Sequence, residues 1–340
     1  MPAAATRRGY AKLAKFANGR LLNVPLNSKR FQQFNSDHVP RMGGHFYVIV
    51  MPGTLHFLLP CLDRITNKVK VNLLINGASK WECQVLKNCY PKLPMFNLYS
   101  LPGSYLQHGD VITLLLKNNE KPFGILDHDL YVLDLAIFNQ LTLQTDEIAL
   151  VRFWEKGHLS GRPFPHTFFL YFNPKPLNDV MNRFGIDARI YRRSPKNLRK
   201  NLDDLGLFEG QFPKDYLDYF DTLQLLFSAA ESLGLSWRPI TTIEPSGAIH
   251  IGGTSFSAYG TKDVSQLYIH LSFLEISSRD IRQHYASLVT PFHSASQIRD
   301  RLYKTHEGRR LVDAVDSLIE RLTQDVDDSS TDTDGRLSNQ

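Results

Sequence analysis

Four short apolar runs separated by helical stretches, the last delivering the chain into Asp127-His128-Asp129, constrain this sequence more than any other feature. FYVIVM (46–51) reads as a buried strand stopped by Pro52-Gly53-Thr54, and Leu55 to Ile65 as the helix that follows. VKVNLLI (69–75) is a second strand closed by Asn76-Gly77, with a helix from about Ser79 to Cys89. MFNLYSL (95–101) is a third, and Pro102-Gly103-Ser104 leads into a helix carrying Val111, Leu114 and Leu115. PFGIL (122–126) is the fourth. Short apolar runs bounded by turn residues and alternating with helical periodicity build parallel sheets through right-handed crossovers. Ligands of such sheets sit outside the carboxyl ends of the strands, so each of these terminal turns is a candidate contact.

The chain of 340 residues can bury a large core and lies near the length at which one domain divides into lobes. Its 42% hydrophobic and 11% aromatic content is that of a globular chain and excludes a fibrous or wholly disordered one. A formal charge of +5 favours anionic partners, whether nucleotide diphosphates, acidic headgroups or nucleic acid, and selects none of them. Cys61, Cys83 and Cys89 are odd in number and lack CxxC spacing, which reads as reduced thiols in a cytoplasmic protein. The longest apolar run, Phe46 to Leu62, is broken by Pro52, Gly53, His56 and Pro60 and does not read as a membrane span. No secretory apolar region follows Arg7, Arg8, Lys12 and Lys15, so this basic arm is either solvated or a peripheral contact with the inner face of an anionic membrane.

Beyond Asp134 the alternation weakens. HTFFLYF (166–172) is the best remaining strand, followed by a helix with Val180, Met181 and Phe184, and this region reads as an acceptor half. Arg183, Arg189, Arg192, Arg193, Lys196, Arg199 and Lys200 cluster around Tyr191, forming either a solvated face or a docking site for an anionic acceptor or membrane. Tyr219 to Leu233 has helical spacing, and WRPITTI (237–243) is strand-like. From Val264 to Leu322 the pattern is helical, with Leu311, Val315, Leu318 and Leu322 expected to pack within the chain. DVDDSSTDTDGRLSNQ (325–340) has almost no apolar content to offset ordering entropy and is expected to be a disordered tail. The expected division is an arm (1–44), a first half that carries the four strand tips (45–135), a second half (136–262), a helical extension (263–323) and the acidic tail (324–340).

A D-x-D alone says little, since Asp325/Asp327 and Asp332/Asp334 repeat the spacing in the tail. At a strand tip, carboxylates at i and i+2 let a hard divalent cation bridge them to a diphosphate and neutralise charge on a departing nucleoside diphosphate. The alternative is a turn whose Asp side chains cap the following amides.

The order of elements resembles that of the GT-A glycosyltransferases, in which a first strand ends at a nucleotide-binding turn, two βα units follow, and the next strand ends in D-x-D. SYLQHGDVITLLL (104–116) looks like the helix start that some bacterial members carry before that strand, and SGAIHIGGTS (246–255) presents His250 before a Gly pair. The resemblance covers roughly residues 45–255. It implies an α/β fold with a GT-A-like (Rossmann-like), mostly parallel sheet flanked by helices and a helical C-terminal extension. It further implies that Asp127, Asp129 and His250 hold Mn²⁺ or Mg²⁺. Pro52, Gly53, Thr54, Asn76, Gly77, Ser79, His108, Gly109, Asp127 and His128 would surround a nucleotide diphosphate sugar, a UDP-sugar first among donors. Asp221, in KDYLDYFDTLQLL (214–226), resembles the family's acidic position before its acceptor-side helix and would be the general base, unless it only caps that helix. Asp215 and Asp218 share that segment, and Glu209 is held in reserve.

The implied activity is transfer of a sugar to a carbohydrate, lipid-linked or protein hydroxyl in glycan or glycolipid synthesis, with inverting or retaining stereochemistry open. No acidic residue in either early turn grips a ribose, which leaves the base open too. A nucleotidyltransferase on the same core would carry a Gly-rich basic loop after its first strand, and MPGTLHFLL has one Gly and no Arg or Lys. A non-catalytic nucleic-acid or partner-binding protein is the remaining alternative; no nucleic-acid-binding signature is present.

Overall fold

The computed structural model describes residues 26–39, 43–101, 104–241, 247–252, 254, 263–289 and 294–331. The chain forms two compact units, Met1–Met51 with Arg64–His250, and Pro52–Asp63 with Ile251–Gln340. In chain order the elements are α1 (Ser28–His38), β1 (His45–Val50), α2 (Leu55–Ile65), β2 (Lys70–Ile75), α3 (Lys80–Cys89), β3 (Met95–Asn97), α4 (His108–Asn118), β4 (Phe123–Leu126) and β5 (Leu130–Val132). There follow β6 (Glu147–Val151), β7 (Trp154–Lys156), β8 (Pro163–Pro165), β9 (Phe169–Phe172), α5 (Pro174–Phe184), α6 (Arg199–Asp204), α7 (Gln224–Glu231), β10 (Ser236–Pro239) and β11 (Ala248–His250). Four helices close the chain: α8 (Val264–Glu275), α9 (Arg279–Val289), α10 (Ala295–Leu302) and α11 (His306–Thr331).

The first unit is built on a seven-stranded sheet in the order β10-β6-β9-β4-β1-β2-β3. β1 runs parallel to both β2 and β4, β2 to β3, and β6 to β10, while β9 alone runs antiparallel to its neighbours β4 and β6. The expected mostly parallel α/β sheet with flanking helices and a helical C-terminal region is therefore the fold. All six residues of β1 are buried, as a central parallel strand covered on both faces requires. The Tyr47 hydroxyl on this strand is satisfied by Asn35 and Asn119 at 3.0 Å each.

On β4, Gly124 stands in register with Phe46 of β1, and a Cβ built there would lie 1.9 Å from the Phe46 ring. That space lets the ring settle edge-on to Phe138 and Phe169, with centroids 5.2 and 5.9 Å away.

Several elements differ from their expected extents. β3 ends at Asn97, where the third apolar run was expected to continue to Leu101. Only the second half of HTFFLYF joins the sheet. The helix expected from Tyr219 begins at Gln224, because Phe220 donates its N–H to the Tyr191 carbonyl at 2.8 Å and accepts the Tyr191 N–H at 2.9 Å, and Leu223 takes a left-handed φ of 69°. Arg238 and Pro239 end the strand expected over 237–243, whose last two residues lie outside the described set, as do the N-terminal basic arm and residues 332–340.

In the second unit, α2 contributes Phe57, packed 5.0 Å from Phe273 of α8, and the Tyr268 hydroxyl of α8 donates to Asp316 of α11 at 2.6 Å. Val312, Val315, Leu318 and Leu322 form the buried stripe of α11, so Val312 takes the place expected for the half-exposed Leu311. α11 runs to Thr331, into the segment expected to be a disordered tail; no Gly or Pro interrupts it after Gly308 before Gly335. Residues 52–63, expected with the nucleotide half, group with these helices. Among the described residues no helix is long and apolar enough to cross a membrane, and Cys61, Cys83 and Cys89 form no disulfide.

Filling the notch at Gly124 forces the Phe46 ring out of its place. The variant Gly124→Ala is expected to lose about 1–3 kcal/mol of unfolding free energy, measured by urea denaturation, with Phe46→Leu in the same chain recovering part of the loss.

Candidate active site

β4 ends at Leu126, and the next residue is fixed by the neighbouring antiparallel strand: the Asp127 amide donates to the Phe168 carbonyl at 3.0 Å. A tight turn, closed by the Leu130 amide on the Asp127 carbonyl at 3.2 Å, then carries Asp129 into β5. β5 pairs antiparallel with β11, and His250 falls opposite Leu130. That register brings the imidazole to the turn, with Nε2 3.3 Å from Asp129 Oδ1. One ligand atom from each of Asp127, Asp129 and His250 lies within 4.8 Å of the others. Two carboxylates and one imidazole suit Mn²⁺ or Mg²⁺, where hard oxygen donors dominate.

The charge distribution fits a cation. Burial first, and the neighbouring Asp129 charge second, hold the Asp127 carboxyl well above the usual carboxylate range. Two acids side by side away from solvent resist joint ionisation unless positive charge joins them. His108 opens α4 with Nε2 3.8 Å from Asp127 Oδ1, and that buried nitrogen has no hydrogen-bond partner among the described residues. Burial lowers the His108 pKa to about 4, so its imidazole is neutral near pH 7. Burial likewise lowers His128.

The remaining expected residues have varied settings. Asn76 holds the loop before α4, its amide accepting from the Leu106 N–H at 2.8 Å and donating to the Leu106 carbonyl at 2.9 Å. Gly77 follows with φ of 88°, which a glycine accommodates without strain. Ser79 caps α3 in a reciprocal capping box with Glu82. Gly109 faces the backbone of Ala188 and Arg189, where a Cβ would approach to 2.8 Å. Pro52, Gly53 and Thr54 belong to the second unit. Asp221 is ion-paired with Lys214 at 3.0 Å and also accepts from the Thr222 amide at 2.8 Å. Asp215 receives the amides of His158, Leu159 and Ser160.

The structure adds residues that the sequence did not single out. A cleft of about 450 Å³ beside the metal-binding candidates is lined by Arg152, Phe153, Trp154, Glu155, His166, Phe168 and His250. Glu155 is its one carboxylate, held by the Tyr216 hydroxyl at 3.0 Å and by His166 Nε2 at 3.1 Å. Phe168 lies flat on His250 at 3.5 Å between centroids, and His166 lies parallel to Phe168 at 5.0 Å. The signal for this wall was the His-x-Phe that begins HTFFLYF, which reads as strand from composition alone.

Residues 25–177 match the family described as the StrH glycosyltransferase N-terminal domain. That stretch contains His108, Asp127, Asp129, Glu155 and Phe168 and ends before His250. The dTDP-dihydrostreptose–streptidine-6-phosphate dihydrostreptosyltransferase of Streptomyces griseus is 24% identical over 177 residues, 51% of this chain and 44% of that protein. The chain thus spans less than half the length of this curated relative. Among solved structures, that of S. aureus TarS 1–349 aligns over 72% of this chain and 69% of that one, at a TM-score of 0.29 and 12% identity, a likeness too slight to carry an argument. The chain is therefore similar in sequence to glycosyltransferases, while the fold rests on the strand order itself.

An acid whose folded pKa is raised favours the folded state when protonated. That contribution is lost as pH rises from the unfolded value of about 3.9 through the raised folded one. A divalent ion needs the ionised carboxyl. Without metal, melting temperature is expected to fall across this window, and the stabilisation by Mn²⁺ to grow with pH over the same range. Asp127→Asn should flatten the metal-free dependence of Asp127 and remove most of the Mn²⁺ shift, as read by melting curves from about pH 4 to pH 8 with and without Mn²⁺.

Proposed function

We propose that this chain is a metal-dependent glycosyltransferase of the GT-A type, moving a sugar from a nucleoside diphosphate sugar to a hydroxyl acceptor. The observation that carries the reading is the meeting of Asp127, Asp129 and His250, from two separate stretches of chain, with ligand atoms within 4.8 Å of one another. The order strand, βα, βα, strand ending in D-x-D, realised as β1 to β4 with Asp127 next, supports it. So does the similarity of residues 25–177 to a glycosyltransferase family.

In this reading Asp127, Asp129 and His250 would hold Mn²⁺ or Mg²⁺, which would supply Lewis-acid stabilisation of negative charge on a leaving diphosphate. The neutral imidazole of His108, whose Nε2 lies 3.8 Å from Asp127 with no hydrogen-bond partner among the described residues, would donate a hydrogen bond to a phosphate oxygen or a sugar hydroxyl. The acceptor enters the cleft lined by Trp154, Glu155 and Phe168. Aromatic walls suit the C–H faces of a sugar ring.

Glu155 then takes the proton of the acceptor hydroxyl as its oxygen bonds to the anomeric carbon and the bond from that carbon to the phosphate oxygen breaks. Tyr216 and His166 fix its carboxylate in place. Asp221, the base implied by the family resemblance, is already neutralised by Lys214, which favours Glu155 for this step. Burial lowers His166 below its ordinary value, so the imidazole beside Glu155 is neutral near pH 7.

The decisive experiment is a melting-temperature panel of UDP-, GDP-, CMP- and dTDP-sugars with and without Mn²⁺, followed by metal-dependent hydrolysis of whichever donor stabilises the protein. Stabilisation by one nucleotide class that requires the metal and vanishes in Asp129→Asn is expected; indifference to all four would refute the proposal. Glu155→Gln should lower transfer about 10²–10⁴-fold while leaving the donor's stabilising effect within about twofold. A comparable loss in Asp221→Asn, with Glu155→Gln active, would move the base to Asp221.

A further inference from the structure

A second cavity of the first unit, about 530 Å³ in volume, opens among Arg192, Arg193, Ser194, Arg199, Phe208 and Tyr216. Its backbone is fixed: Tyr191 and Phe220 exchange two main-chain hydrogen bonds, and the Tyr191 hydroxyl donates to Asp187 at 3.0 Å. Arg192 and Arg193 therefore leave a braced segment.

The charges in this cavity are unequal. Arg199 pairs with Glu209 at 3.3 Å, and Asp215 is occupied by three backbone amides. Arg192 and Arg193 have no carboxylate partner among the described residues, and Asp218 is the one acid of the lining left to oppose them. Guanidinium groups that line one cavity offer planar forks matched to the several oxygens of a phosphate monoester. Phe208 and Tyr216 line the same cavity and are 56% and 52% exposed, so their rings remain available to a ligand.

Tyr216 belongs to both sites. It lines this cavity, and its hydroxyl is bonded to Glu155 in the cleft beside His250. Tyr216 thus links the cavity that holds the arginines to the carboxylate that would deprotonate a hydroxyl. We propose that this cavity is the anchoring subsite for a phosphate monoester carried by a small, soluble, sugar-like acceptor, with Arg192 and Arg193 as its ligands. The concave shape, floored by buried Phe212 and Phe220, favours a small phosphorylated molecule over the headgroups of a flat membrane.

The proposal rests on the transferase reading only for the ligand's role as acceptor, because binding can be measured without donor or metal. Titration calorimetry of the wild-type protein with glucose 6-phosphate, inorganic phosphate and glucose is expected to show the phosphate ester binding at least about tenfold tighter than glucose. Arg192→Ala and Arg193→Ala should each weaken that binding about tenfold, and Asp218→Asn should strengthen it, a gain that misfolding cannot produce.

Equal affinity for glucose and its phosphate, or unchanged affinity in the double arginine variant, overturns the proposal. So does sedimentation with phosphatidylglycerol vesicles, sensitive to the same arginines, without binding of the soluble ester. A wild-type protein that hydrolyses a nucleotide sugar yet ignores phosphate sinks the subsite alone. One that binds phosphate through these arginines yet responds to no nucleotide sugar supports the subsite and sinks the transferase reading.

Discussion

Two carboxylates held close together and largely out of water repel each other, and the candidate site is organised around that repulsion. Asp129 is almost fully buried, and Asp127 sits beside it with its pKa driven up by burial and by the Asp129 charge. Such a pair is costly to keep in a folded chain unless a cation or a proton joins it. The surrounding elements hold it in place: the Phe168 carbonyl fixes the Asp127 backbone, a tight turn fixes Asp129, and β11 brings an imidazole to the remaining side. An arrangement that resists its own electrostatics and is braced from three directions is easier to explain as a binding site than as a turn.

How much of this was legible depended on length and local pattern. β1, β2 and β4 are apolar runs closed by turn residues, and each appears within a residue or two of its expected limits, while α2 spans its expected residues. β5, β7, β8 and β11 are three residues long, too short to show alternation, yet they assemble the site. Asp127 and Asp129 were readable because a strand delivers them. His250 was named only through the family resemblance, since its approach depends on pairing with a strand more than a hundred positions earlier. Glu155 gave no local signal at all, because its partner Tyr216 lies 61 positions away and His166 reaches it only across the β7–β8 pairing. The helix expected from Tyr219 failed for a related reason, as Phe220 is committed to Tyr191 before helical bonds can begin.

The single antiparallel strand of the large sheet joins these observations. Residues 166–172 looked like one continuous strand, but the chain divides them: Phe169–Phe172 pair with β4 and β6, while His166 and Phe168 turn their rings to the cleft. Phe168 is bonded to Asp127 through its carbonyl and stacked on His250 through its ring, so one residue touches two of the three metal-binding candidates. The stack continues to His166, which reaches Glu155. Because β9 is hydrogen-bonded on both sides within a closely packed sheet, a shift of Phe168 would require a shift of the sheet. Metal-binding candidates and the acid of the cleft are thereby tied to the same rigid strand, which is the condition for holding reacting groups at fixed separations without help from the substrate.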